Sequence, residues 1–332
     1  MKVPAISFVI PSYNEERNIH GICEAIKDEM RIYPELDYEI LFIDDGSSDG
    51  TLATIERLSF QCPRVKFVSF TRNFGKEAAI FAGLQNARGD AVIMMDADLQ
   101  HPPELIHELI KGYREGYHQV VAKRDRKGDS KARSFMSSLY YKMVNKAIDV
   151  KLTDGEGDFR LLSRKAVNSL LELTEGHRFS KGLYAWIGLE RKTISYENVP
   201  RQEGETKWSI GKLLNYGIDG IVAFNSKPLR LCFYLGALIL LLSLGYISWT
   251  FVQIIKHGVD VPGYFTLISA VLFLGGIQLV SLGIIGEYIG RIYNETKKRP
   301  HYLVKVSNVN VEPETSTLHA KAAEAFQRKA RV

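Results

Sequence analysis

Short apolar runs alternate with longer helical patterns over the first part of the chain. AISFVI, YEILFID, VKFVSF, DAVIMMD and HQVVAK have the length and the β-branched and aromatic content of strands. Between them the pattern predicts helices beginning near Glu15, Thr51, Gly75 and Pro103. That alternation implies an α/β fold, a mostly parallel sheet with helices on both faces. Ligands in such sheets gather at the carboxyl ends of the strands. The polar clusters fall there: Ser12 to Glu15, Asp44 to Asp49, Arg72 to Lys76 and Asp96 to Gln100.

The pattern changes near residue 229. Leu231 to Ile255 is uncharged for 25 positions and Val261 to Gly286 for 26. Each is long enough for a helix across a hydrocarbon core roughly 30 Å thick. Lys227 and Arg230 precede the first run, whereas Arg291, Lys297, Lys298 and Arg299 follow the second. This asymmetry places both flanks on the cytoplasmic side and the short KHGVD loop outside. Ahead of the runs, Ile210, Leu213, Leu214, Ile218, Ile221 and Val222 recur at helical spacing, as in a helix lying in the membrane interface or packed on the preceding domain. The chain thus divides into a domain over 1–205, an amphipathic helix over 206–228, two spans over 229–292 and a cytoplasmic tail over 293–332. The tail is expected to be mobile from Ser307 onward.

Composition narrows the function classes. A net charge of +5 without long Lys and Arg blocks excludes a nucleic-acid arm and suits a membrane surface or a phosphate-bearing substrate. Cys23, Cys62 and Cys232 lie far apart without metal-ligand spacing and read as reduced cytosolic cysteines. MKVPAISFVIPSYNEE has too short an apolar run for a signal peptide, so the domain is expected to stay in the cytosol. Small residues at Gly236, Gly275 and Gly276 suit close helix packing between subunits of a homo-oligomer.

The chemistry starts at MMDADLQHPPE, where an apolar run ends in two aspartates that alternate onto one side. Asp96 and Asp98 make a hard oxygen site of the type favoured by Mg²⁺ or Mn²⁺, which share substrate phosphate oxygens. No Walker-type phosphate loop is present, nor a G-x-G-x-x-G after the first strand. A positive group is expected between the carboxylates. Asp158, next to Gly157 and ahead of Leu161 and Leu162, stands at an edge of the core, where removal from water raises a carboxylate's pKa. Its alternative is a structural pair with Arg160.

PSYNEERNI, FIDDGSSDGT, TRNFGKEAAIFAGL, MMDADLQHPPE and GDFRLLSRKAV, in that order, resemble the family 2 glycosyltransferases. The nearest branch is that of the polyprenyl-phosphate sugar synthases, similar to dolichyl-phosphate mannose synthase with two added membrane spans. The resemblance covers roughly residues 1 to 300 and implies a GT-A-type fold. It assigns Pro11, Tyr13, Glu15, Asp44 and Asp45 to nucleotide binding, with Lys76, Ala97 and Gln100 beside the metal ligands Asp96 and Asp98. Asp49 reads equally well as a helix cap. Arg72 and Lys76 would offset phosphate charge. Asp158 becomes a candidate general base near the acceptor, although a phosphate acceptor is already an anion. Arg124, Arg133 and Ser137 match the acceptor-phosphate pattern, the latter two being four apart on one helical face. Arg201 and Lys207 match the cations that close over the diphosphate; Trp208 stands where the family often has Tyr.

The expected activity is inverting transfer of a sugar, glucose or N-acetylglucosamine, from a UDP-sugar to a polyprenyl phosphate at the cytoplasmic membrane face. Two alternatives stay open: a glycosyltransferase with a saccharide acceptor, and a non-catalytic membrane scaffold with a degenerate nucleotide domain.

Overall fold

The computed structural model describes residues 5–125, 153–176, 178–196 and 263–309, with single positions at 145 and 150 and scattered positions between 234 and 256. The expected amphipathic helix and most of the first apolar run lie outside the described residues.

Five strands follow the expected apolar runs: β1 (Ala5–Ser12), β2 (Asp37–Asp44), β3 (Val65–Phe70), β4 (Ala91–Met94) and β5 (Gln119–Arg124). Helices α1 (Glu16–Met30), α2 (Thr51–Gln61), α3 (Lys76–Asn86) and α4 (Leu105–Arg114) connect them, each starting within two residues of its expected position. Three strands absent from the sequence reading, β6 (Glu156–Ser163), β7 (Arg191–Tyr196) and β8 (Val304–Ser307), complete an eight-stranded sheet of order β7-β5-β6-β4-β1-β2-β3-β8. Only β6 and β8 run against the others. Helices α5 (Arg164–Glu172), α6 (Ser180–Trp186) and α7 (Tyr264–Thr296) follow among the described residues.

Because the central strands are covered on both faces, their sequences are nearly continuous in apolar residues. Phe8, Ile10, Phe42, Ile93 and Phe159 point to one side, packed with buried residues of α1, α2 and α4. Val9, Leu41, Val68, Met94 and Leu162 point to the other, under α3, α5 and α6. Each fully buried side chain of this size contributes about 1.5–3 kcal/mol. Helix α3 is buried from Ala78 through Leu84, and a Cβ on Gly83 would meet Val9 Cγ1 at 2.1 Å. Small residues on α3 therefore let it lie close against β1, which holds its first turn over the carboxyl edge of the sheet.

The expected tail begins inside this domain. β8 pairs antiparallel with β3, matching Phe70 to Val304 and Val68 to Ser307. Tyr302 is buried, stacks on Phe70 at a centroid distance of 4.7 Å and donates to Gln85 Oε1 at 2.7 Å. Asn308 extends the seal by accepting the Phe67 N–H at 2.7 Å. Through Ser307 and Asn308 the segment is thus an ordered edge, not the start of a mobile tail, because β3 would otherwise end the sheet with unpaired backbone groups.

Helix α7 has 33 residues, about 50 Å of helix. Its stretch Phe273–Thr296 is long and apolar enough to cross a membrane, and Leu279, Val280 and Leu282 are exposed. Its last turn is tied to the domain by the Gly176 N–H, which donates to Glu295 Oε1 at 2.6 Å.

Candidate active site

The site forms where β4, β6 and the first turn of α3 meet. β6 runs antiparallel to β4, with Met94 opposite Arg160. Two residues further along this register, Asp96 comes opposite Asp158. Lys76, the first residue of α3, reaches between them: its Nζ lies 2.7 Å from Asp96 Oδ1 and 2.8 Å from Asp158 Oδ2. The positive group expected beside the aspartates is therefore present, but it joins Asp96 to Asp158 instead of Asp96 to Asp98.

This pairing reverses the expected direction for Asp158. Burial raises its pKa, as anticipated, but Lys76, with Lys181 and Arg160 further off, holds the carboxyl well below the usual range. A carboxylate so held is a weak proton acceptor while Lys76 stays beside it. The ammonium shows the mirror effect. Burial pulls Lys76 down, while Asp158 and Asp96 more than reverse it and hold the amine well above its ordinary value. Arg160 is not the partner of Asp158 expected in the structural alternative; its guanidinium lies 3.8 Å over the Tyr184 ring.

Asp98 follows two residues after Asp96. Its Oδ1 accepts the Gln100 N–H at 3.3 Å, and Leu99 between them has a left-handed φ of 55°. Ala97 is buried. His101 follows, stacked on Phe159 at 4.8 Å, with its Nδ1 buried and lacking a hydrogen-bond partner among the described residues. Burial lowers its pKa, so the ring is held neutral and its nitrogen remains a potential acceptor or ligand. No three His, Cys, Asp or Glu side chains converge on one point among the described residues. A hard divalent cation takes only one or two carboxylates and completes its shell with water and phosphate, and Asp96 and Asp98 offer oxygens of that kind.

The loops after β1 and β2 are stitched together. Asn14, at a φ of 54°, accepts the Ser48 N–H at 2.9 Å, and its own N–H donates to Ser47 Oγ. The Glu15 N–H donates to Thr51 Oγ1, and Glu15 Oε2 accepts from Asn18 at 2.6 Å. Asp49, next to the N-cap residue Gly50, accepts from both Thr51 groups and from the Glu16 N–H. Asp44 is buried and accepts from Ser69 Oγ at 2.6 Å and from the Ser47 N–H at 3.1 Å. Asp45 accepts the Phe74 and Gly75 N–H groups ahead of α3, at 2.6 and 2.9 Å. Burial nonetheless raises the Asp45 pKa, with those amides opposing it. Gly46 allows this contact: its φ is +65°, and a Cβ there would lie 2.3 Å from the Arg72 carbonyl carbon. Tyr13 is left 41% exposed at the rim of these loops. Pro11 sits in β1 beside Ile43.

Behind Lys76 is a second acid that the sequence reading passed over. Glu77 accepts from the Ser180 N–H at 3.1 Å and from the Ser180 hydroxyl, tying α3 to the start of α6. Burial and the nearby Asp158 charge push its pKa up to about 7. Tyr184, one turn into α6, donates to Met94 Sδ at 3.6 Å and lies under Arg160. The signal for Glu77 was its place beside Lys76 in the first turn of a helix with an otherwise apolar beginning.

A family model described as glycosyl transferase family 2 matches residues 7–171, and one described as the GtrB C-terminal hairpin matches residues 227–292. The chain is 62% identical over 320 residues to the putative glycosyltransferase CsbB of Bacillus subtilis, covering 96% of this chain and 97% of that one. The chain belongs to glycosyltransferase family 2. An uncharacterized glycosyltransferase of Synechocystis, sll0501, is 46% identical over 90% of this chain and 94% of its own length. A prophage-derived bactoprenol glucosyl transferase of Shigella flexneri is 41% identical over 91% of this chain and 98% of its own.

Within this family 2 chain, the structure brings Asp96, Asp158 and Lys76 together, places Asp98 and Gln100 on the adjoining turn, and leaves Tyr13 at the rim. Arg124 ends β5 beside Tyr196. Arg72 is exposed, with its guanidinium 4.0 Å over the Phe74 ring. Arg133, Ser137, Arg201 and Lys207 lie outside the described residues.

Proposed function

We propose that this family 2 glycosyltransferase moves a sugar from a UDP-sugar to the phosphate of a polyprenyl carrier lipid at the cytoplasmic face of a cell membrane, inverting the anomeric configuration. The observation that carries the reading is the convergence of Asp96, Asp158 and Lys76 at one sheet edge, in a chain whose apolar α7 leads back into the same sheet through β8. The names of the Shigella relatives, bactoprenol glucosyl transferases, favour glucose and an undecaprenyl-type carrier. N-acetylglucosamine is the second candidate from the sequence resemblance.

Asp96 and Asp98 would hold Mg²⁺ or Mn²⁺, which supplies Lewis-acid stabilisation of a departing diphosphate. Tyr13 offers an aromatic face to a base, and the stitched Asn14–Ser48 loops hold it at the edge of the sheet. Asp44 and Asp45 shape those loops by bonding within the domain. Asp158, already ionised beside Lys76, orients groups at the reacting centre; a lipid phosphate is anionic at neutral pH and needs no proton removed. Arg124, Arg133 and Ser137 receive that phosphate, while Arg201 and Lys207 close over the diphosphate. Two spans, with both termini cytoplasmic, keep the site where the lipid phosphate is presented, raising the chance of productive encounter. The glycines on the spans suit a homo-oligomer.

Membranes bearing the protein are incubated with labelled UDP-glucose, UDP-N-acetylglucosamine or GDP-mannose and undecaprenyl phosphate, with and without chelator. Labelled sugar that enters the organic phase, is released by mild acid and disappears with EDTA supports the reading. Water-soluble polymer, or organic-phase product unchanged in Asp96→Ala, overturns it.

A further inference from the structure

Asp96 and Asp158 face each other across β4 and β6, and Lys76 is the cation that keeps them together. Asp158 is a residue of β6, and Asp96 follows the end of β4 by two positions. Lys76 is different, since its four-carbon stem leaves the first residue of α3 and is 47% exposed. The backbone beneath it is clamped, because Asp45 holds the Phe74 and Gly75 N–H groups. The half-exposed side chain is the part that can change partners.

A divalent ion ligated by Asp96 would bind about 2.1 Å from the carboxylate. With the ammonium 2.7 Å from Asp96 Oδ1, an ion taking that same oxygen would stand at most about 5 Å from it. Two cations that close repel unless an anion separates them or one departs. A nucleoside diphosphate provides both remedies, being an anion between the charges and a new partner for the ammonium.

We propose that Lys76 is a placeholder cation: it occupies Asp96 in the empty enzyme and transfers to the diphosphate when the divalent ion takes Asp96, so that metal and nucleotide load together. The idea rests on the metal-dependent reading above and adds an order to it. Lys76 acts here as a positioning residue whose removal tightens binding of the metal alone, an effect that a purely structural lysine would not produce.

The test is Mn²⁺ binding to the full-length protein in detergent, followed by electron paramagnetic resonance, with and without UDP. Wild type is expected to bind Mn²⁺ about tenfold or more tighter when UDP is present, within the usual range of coupling between sites. Lys76→Gln is expected to bind Mn²⁺ alone about tenfold tighter than wild type, with the coupling to UDP reduced to about threefold or less. Lys76→Arg, which keeps the charge, should retain wild-type coupling. Lys76→Ala gives the same comparison if the Gln variant does not fold. Equal or weaker Mn²⁺ affinity in the Gln or Ala variant, or wild-type affinity indifferent to UDP, overturns the placeholder while leaving metal dependence in place. No Mn²⁺ binding under any of these conditions overturns both.

Discussion

Asp96 and Asp158 are separated by more than sixty residues of chain yet share one ammonium, that of Lys76, at 2.7 and 2.8 Å. Asp158→Asn keeps the shape of the side chain and removes its charge. The rate of sugar transfer should fall about 10²–10³-fold, the usual loss when one preorganised electrostatic group is removed, while the protein still folds. Since Lys76 holds the folded-state pKa of Asp158 well below its unfolded value, its contribution to stability is present above about pH 4 and is lost only as the pH falls through the depressed value. The difference in melting temperature between wild type and Asp158→Asn should therefore be constant from pH 5 to 8.

Glu77 titrates in the opposite sense. Its folded-state pKa is raised from 4.5 to about 7, so the folded protein holds a proton there that the unfolded chain releases. Stability should fall as the pH rises between these values, by up to about 3 kcal/mol, and then level off. Glu77→Gln keeps an acceptor for the Ser180 N–H without the charge. Its melting temperature should be flatter from pH 5 to 8 and should exceed that of wild type at pH 8.

Gly46→Ala places a methyl group 2.3 Å from the Arg72 carbonyl carbon at a φ of +65°. The loop must open, which loosens the Asp45 clamp on the start of α3. A loss of about 1–3 kcal/mol is expected for forcing such a backbone, measured by urea unfolding, and nucleotide binding should weaken with it.

Tyr302→Ala removes the ring stacked on Phe70 and the bond to Gln85. Truncating a buried aromatic costs about 3–5 kcal/mol, and here it also frees the sheet edge covered by β8. Thermal unfolding should shift downward strongly, whereas Tyr302→Phe, losing only the hydroxyl contact, should cost about 1 kcal/mol.

The sites of interest were legible in the sequence to different degrees. Asp96 and Asp98 stood out because an apolar strand ended on them, and the strand–helix rhythm put Lys76 at the same sheet edge. Asp158 was found as a residue, but its charge state was misjudged, because desolvation can be read from apolar neighbours and a lysine eighty-two positions earlier cannot. The roles of Asp44 and Asp45 within the domain were hidden for the same reason: Ser69, Phe74 and Gly75 approach only when β2 and β3 are paired. The short VKVS strand was hidden because four alternating residues among polar neighbours carry almost no periodic signal.

By itself the sequence determined the local elements and the long apolar runs, since periodicity and hydrophobic length depend only on neighbouring residues and on the thickness of a bilayer. Which strand runs backwards was a tertiary decision. The reversal of β6 beside β4 brings Asp158 to the Lys76 that also holds Asp96, and that lysine holds the Asp158 carboxyl down against its burial, because desolvation and Coulomb attraction act through space and not along the chain.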